Sequence, residues 1–293
     1  MSKCYLCPRA CGADRAAGQR GFCGQGDELV IARAAPHYGE EPCISGTWGS
    51  GTVFFSGCNL HCVFCQNREI SLEGRGTKIS VSRLAEIFLE LQDEDVHNIN
   101  LVTPTHFADK IVQALKIADL KIPVVWNSGG YESVETLKSL EGLVQVYMPD
   151  LKYTSRENAA RYSEALNYPE AARAAIDEMY RQTGPYVMGD DGLLKRGVLI
   201  RHLILPGQLD DAFDVIDYVS EHFPKNSVLL SLMSQFTPLA DRERYPELNR
   251  GITQEEYERA ESYLMLSGIE NGYFQELSSA TDEMIPAFDG TGV

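Results

Sequence analysis

Cys58, Cys62 and Cys65 fall within eight consecutive positions of the stretch GCNLHCVFCQN. Thiolates at this C-x3-C-x2-C spacing suit a soft metal or an iron–sulfur cluster. A closed zinc site or an ordinary four-iron cube takes four protein ligands. No cysteine follows Cys65, so a [4Fe–4S] cluster on this triplet keeps one iron open to a ligand from outside the chain. The competing chemistry is a zinc knuckle with His61 as fourth ligand. His61 adjoins Cys62 directly, and its side chain is expected to point another way.

A second set, Cys4, Cys7, Cys11 and Cys23, has the spacing C-x2-C-x3-C-x11-C. Four thiolates satisfy a closed site, and both zinc and a second [4Fe–4S] cluster fit that count. Cys43, in EPCISG, is left over and is expected to pack near the three-cysteine loop. All eight cysteines lie in residues 4–65. A disulfide framework would staple the whole fold, so crowding at one end points to metal.

The elements that position these residues show a rhythm. The runs GTVFFSG (51–57), INLVTP (99–104), IPVVWNSGG (122–130), LVQVYMPD (143–150), GVLIRHLILPG (197–207) and SVLLSLMSQ (227–235) read as strands. Each is continuously apolar rather than alternating, as parallel strands buried on both faces are. Helical patterns separate them at 82–92, 107–118, 133–140, 211–223 and 253–268. The first puts Leu84, Ile87, Phe88 and Leu91 on one face, with Ser82 as N-cap. The last opens with a capping box, Thr253 and Glu256, and ends at Gly268. Residues 155–182 read as helical with a break near Pro169, and GYFQE (272–276) as a final short strand. Six strands alternating with helices predict a parallel α/β fold, best a partial barrel, with a doubly wound sheet as runner-up. Residues 1–50 read as an irregular, Cys-rich metal-binding segment and 51–293 as the barrel domain. Chemistry is then expected at the C-terminal strand ends, where the three-cysteine loop lies.

Composition narrows the function. The formal charge is −16, which opposes nucleic-acid binding, where Lys and Arg neutralise phosphates. No apolar run approaches the roughly 20 residues that span a bilayer. The N-terminus lacks the apolar core of a signal peptide, so a cytoplasmic location is expected.

The triplet with Phe64 just before its last cysteine resembles the signature of the radical S-adenosylmethionine (SAM) superfamily. The lead-in FFSGCN and the following Gln66-Asn67 resemble the pyruvate formate-lyase activating enzymes. The resemblance implies a partial (β/α)6 TIM-like barrel and a [4Fe–4S] cluster on Cys58, Cys62 and Cys65. It implies that the amino and carboxylate groups of SAM chelate the open iron. Reductive cleavage then yields a 5′-deoxyadenosyl radical that abstracts hydrogen from a substrate. Asp150 and Lys152 in PDLKY resemble that branch's Asp-x-Lys element, whose lysine lies near the SAM carboxylate. Asn127, Ser128 and Gly129-Gly130 resemble its turn under the cofactor. Of Arg201 and His202, adjacent on one strand, only one is expected to face the interior. Gln235 and Thr237 are placed near the ribose or adenine. One departure stands out: where the family has Gly-Gly-Glu, this chain has Thr103, Pro104, Thr105 and His106. Thr103 or Thr105 is then the substitute acceptor for the SAM ammonium. The implied partners are an electron donor such as flavodoxin or ferredoxin and a protein substrate, a glycyl radical enzyme. A radical enzyme acting on a peptide or small molecule, and a non-catalytic iron–sulfur electron-transfer protein, are the alternatives.

Overall fold

The computed structural model describes residues 3–238, 240–277 and 286–293. A stretch of turns carrying four cysteines leads into β1 (Leu29–His37) and a one-turn helix, α1 (Pro42–Ser45). Strand β2 (Ser50–Phe55) then runs back antiparallel along β1. After α2 (Arg68–Ser71) and β3 (Thr77–Ile79) the alternating part begins. It reads α3 (Val81–Asp93), β4 (Ile99–Val102), α4 (Ala108–Ala118), β5 (Val124–Ser128), α5 (Val134–Lys138) and β6 (Val146–Pro149). Next come α6 (Arg156–Ser163), α7 (Tyr168–Thr183), β7 (Val187–Met188), β8 (Leu194–Leu203), α8 (Leu209–His222), β9 (Leu229–Met233), α9 (Gln254–Leu266) and β10 (Gly272–Phe274).

The sheet order is β10-β9-β8-β6-β5-β4-β2-β1-β3, with β7 beside β8. From β2 to β10 along this order every pairing is parallel. The sheet does not close, and the architecture is a partial TIM-like barrel. Strands β4, β5 and β6 are buried at every position, as their unbroken apolar runs require. Helices cover the outside. Leu84, Ile87, Phe88 and Leu91 of α3 are all buried. Its N-cap is Ser80, which accepts from the Arg83 amide, rather than Ser82. The cap thus lies two residues earlier than expected, and the helix begins at Val81. The Thr253–Glu256 capping box is present at α9. The break before Pro169 falls between α6 and α7, where Glu164 takes a left-handed φ of 50° and Pro169 enters the first turn of α7.

The first 50 residues are not irregular throughout. Their apolar stretch LVIARAAPH is β1, which carries the chain to the N-terminal ends of the strands before β2 climbs back. There α1 plugs the barrel. Cys43 and Ile44 pack against Val125, Val146, Leu199 and Leu229. Cys43 therefore sits at the end of the barrel away from the three-cysteine loop, contrary to expectation. The descent along β1 is what takes it there.

Candidate active site

The loop after β2 carries Cys58, Cys62 and Cys65 over the C-terminal ends of the parallel strands. They line a cavity of about 250 Å³ together with Phe64, Asn127, Ser128, Asp150, Lys152, Arg201, Gln235 and Thr237. Residues from five segments, read separately from the sequence, thus meet on one wall-to-wall surface. Phe64 packs edge-on against Phe236, with ring centroids 5.9 Å apart.

The floor is charged and buried. Arg201 donates from Nε to Asp150 Oδ1 at 3.0 Å, from Nη1 to Glu40 Oε2 at 3.0 Å and from Nη2 to Asn127 Oδ1 at 2.7 Å. Lys152 Nζ donates to Asp150 Oδ2 at 2.6 Å. Glu40 Oε1 also accepts from Asn100 and Asn127. Burial alone would raise the Asp150 carboxyl, but Lys152 and Arg201 outweigh it and hold the group below its ordinary range. Burial likewise works against the Lys152 ammonium, and Asp150 outweighs it, so Lys152 stays charged. Beside them Glu41 is raised, first by burial, which favours its neutral form.

Strand alternation separates Arg201 from His202. Arg201 faces the cavity, whereas His202 is buried on the other side with Nδ1 at 2.7 Å from the Leu151 carbonyl. Thr103 lines the cavity with a left-handed φ of 57°, a strained choice for a branched residue. Thr105 does not line it; its hydroxyl donates to buried Glu132 at 2.6 Å. Gly129 lines the cavity, and neither glycine after β5 has room for a side chain. A Cβ on Gly129 would stand 2.6 Å from Leu60 of the cysteine loop, and one on Gly130 would stand 2.2 Å from the Asp150 carbonyl.

Glu40 was not legible as a site residue. It lies 161 positions from Arg201 in a segment without period, and a pair of acids before a proline carries no signal of its own.

Residues 52–219 match the Radical SAM superfamily profile. The chain belongs to the radical SAM superfamily. This radical SAM enzyme is also 31% identical over 270 residues to an uncharacterised protein of Methanocaldococcus jannaschii. That alignment covers 89% of this chain and 73% of the other. A solved Yersinia pestis DHPS with a pterine-sulfa conjugate overlaps 72% of this chain and 94% of its own, at 10% identity and a TM-score of 0.25. A score that low says nothing about the site.

Radical SAM proteins generally use a [4Fe–4S] cluster and SAM, and the donor set here fits both. The three thiols are free, and each accepts a hydrogen bond. The Leu60 amide donates to Cys58, the Ser163 hydroxyl to Cys62 and the Ser71 hydroxyl to Cys65. Burial, then repulsion from Cys62 and Cys65, pushes the Cys58 thiol up to about 12. Burial also raises Cys65. Thiolates buried in this way need positive charge supplied by a metal centre. His61 turns its ring onto Phe22, with centroids 4.3 Å apart, so its ring is committed to packing. Among the described residues no group of three or more His, Cys, Asp or Glu side chains is positioned to hold a metal ion as it stands. Also among the described residues, no helix is long and apolar enough to cross a membrane.

Proposed function

We propose that Cys58, Cys62 and Cys65 hold three irons of a [4Fe–4S] cluster, that the open iron takes SAM, and that the enzyme activates a partner protein by removing hydrogen from a glycine. The observation that carries the cofactor reading is the convergence of a three-thiol loop, lacking a fourth ligand, on the cavity that holds Asp150, Lys152, Asn127 and Arg201. When bound, the pair would supply one-electron reductive cleavage of a carbon–sulfur bond and, with it, hydrogen-atom abstraction.

The chain's own residues bind and orient. Lys152 presents an ammonium close to Cys62 and Cys65, where it meets the SAM carboxylate as a compact point charge. Asp150 aims that ammonium. Arg201 fixes Asp150, Asn127 and Glu40 in one plane of charge-assisted hydrogen bonds. Phe64, Ser128, Gln235 and Thr237 supply the walls for the nucleoside. Thr103 offers the one hydroxyl at the position where related enzymes carry an acid. An external one-electron donor of the flavodoxin or ferredoxin class completes the cycle.

A second reading is a radical enzyme acting on a small molecule or peptide. The departure at Thr103–His106 and the charged floor at Glu40 favour it, because both alter what a polar ligand meets.

Anaerobic reconstitution with iron and sulfide, followed by dithionite and SAM, tests the core of the reading. The expected product is 5′-deoxyadenosine, absent from the Cys62→Ala protein. Cofactor cleavage at the native rate in that variant sinks it. A glycyl radical signal on a candidate partner, or its absence while 5′-deoxyadenosine still forms, separates the two substrate classes.

A further inference from the structure

The N-terminal turns carry four free thiols that the chemistry above leaves unused. They come from separate turns and still gather. The Cys4 amide donates to the Ala13 carbonyl at 3.0 Å and the Gly12 amide to the Cys4 carbonyl at 3.1 Å, which clips the first cysteine beside the third. Cys7 and Cys23 are each close enough to Cys4 to sense its charge, and Cys7 senses Cys23. The sulfurs of Cys11 and Cys23 face a shared point: a Cβ on Gly21 would stand 3.3 Å and 3.4 Å from them. Glycine is therefore the residue that leaves room between the two sulfurs.

Arg15 Nη2 donates to Cys23 Sγ at 3.1 Å. Thiolates accept such bonds strongly, whereas uncharged thiols are weak acceptors. The Arg15 contact is of the kind a charged sulfur favours, and metal ligation would supply that charge.

The same turns grip the catalytic loop. Arg9, between Cys7 and Cys11, donates to the carbonyls of Asn59 and Ser163 at 2.8 Å each and of Leu60 at 3.3 Å. Its guanidinium lies 3.8 Å over the ring of Phe22, which in turn stacks on His61. A Cβ on Gly57, just before Cys58, would stand 2.5 Å from the Cys23 carbonyl.

We propose that Cys4, Cys7, Cys11 and Cys23 hold a second, closed thiolate-ligated metal centre, and that this centre braces the Cys58–Cys65 loop from behind. Among the described residues no three such side chains already close on one point, so the metal would complete the site. Zinc and a [4Fe–4S] cluster share this ligand chemistry, and metal content tells them apart. The inference goes beyond the proposed cofactor chemistry and holds whether or not SAM is cleaved.

The test removes the catalytic thiols first. Full-length protein carrying Cys58→Ala, Cys62→Ala and Cys65→Ala is purified without oxygen and analysed for metal. About one zinc, or about four irons, per chain is expected. That metal should vanish when Cys11→Ser and Cys23→Ser are added. A folded triple variant, judged by circular dichroism, that carries neither metal overturns the proposal. If the triple variant does not fold, Cys11→Ser/Cys23→Ser in the native chain gives the same reading. A fall of about one zinc or about four irons is then expected, and unchanged metal content overturns it.

Discussion

The two cysteine sets of this chain, one on the loop after β2 and one in the turns that contact it, face different surroundings. Cys58, Cys62 and Cys65 ride on the end of a buried strand, look into a cavity and number one fewer than a closed cluster takes. Cys4, Cys7, Cys11 and Cys23 sit among turns behind that loop, where Arg9 and Phe22 fasten them to it. The triplet shares its cavity with a network of charged side chains. In the quartet Arg15 donates to Cys23, and Gly21 leaves room between Cys11 and Cys23. An incomplete ligand set beside a polar cavity is equipped to admit a small molecule. A complete set packed against backbone is equipped to hold a shape.

The strongest way to break this contrast is to exchange the damage. Cys62→Ala should reduce 5′-deoxyadenosine formation to background, whereas Cys11→Ser should leave it measurable. Equal loss in both variants, with the loop cluster still present in Cys11→Ser, would erase the functional distinction.

A smaller effect is expected on the cavity floor. Arg201→Ala strands the Asp150 and Glu40 carboxylates in buried surroundings, at a cost of about 3–5 kcal/mol in unfolding free energy. Urea titration of the metal-free protein reads this directly, and a change below 1 kcal/mol would mean that the floor is wetter than its burial indicates.

Arg9→Ala removes four hydrogen bonds, to the carbonyls of Asn59, Leu60, Ser163 and Glu164, and should cost about 1–3 kcal/mol. Its informative readout is the rate at which the reconstituted loop cluster bleaches under a chelator, expected to rise while SAM affinity changes less. An unchanged bleaching rate would detach the quartet from the triplet.

The smallest effect is one of pH. Asp150 is held below its ordinary value of 3.8. Its contribution is therefore fully present above that value and is lost as pH falls through the lower native one. The difference in melting temperature between native and Asp150→Asn protein, both metal-free, should be constant above about pH 5 and narrow in stronger acid. A difference that grows on acidification would reverse the assignment.

Much of the site was legible because parallel strands end where chemistry collects. Asp150, Asn127 and the Cys58 loop each follow an apolar run, and reading those runs as parallel strands brings them to one mouth. That only one of Arg201 and His202 faces the interior followed from alternation, whereas which one did not. What escaped depends on contacts between residues distant in sequence. Strand β1 has an arginine and alanines in its apolar run, and only pairing with β2 makes it a strand. Glu40 reaches Arg201, and Arg9 reaches Ser163, across more than half the chain. Periodicity compares near neighbours and cannot register such pairs. Cys43 was misplaced for the same reason, since nothing local announces that β1 descends.

The balance of the cavity floor has one more consequence. Lys152 and Arg201 are matched by Asp150 and Glu40, and burial favours the neutral form of neighbouring Glu41. The floor is thus a set of alternating poles with little sum, so it ranks visitors by the arrangement of their charges rather than the total. A zwitterion that can lay each end against its opposite pole enters with modest desolvation loss, while a simple anion or cation of the same size meets as much repulsion as attraction.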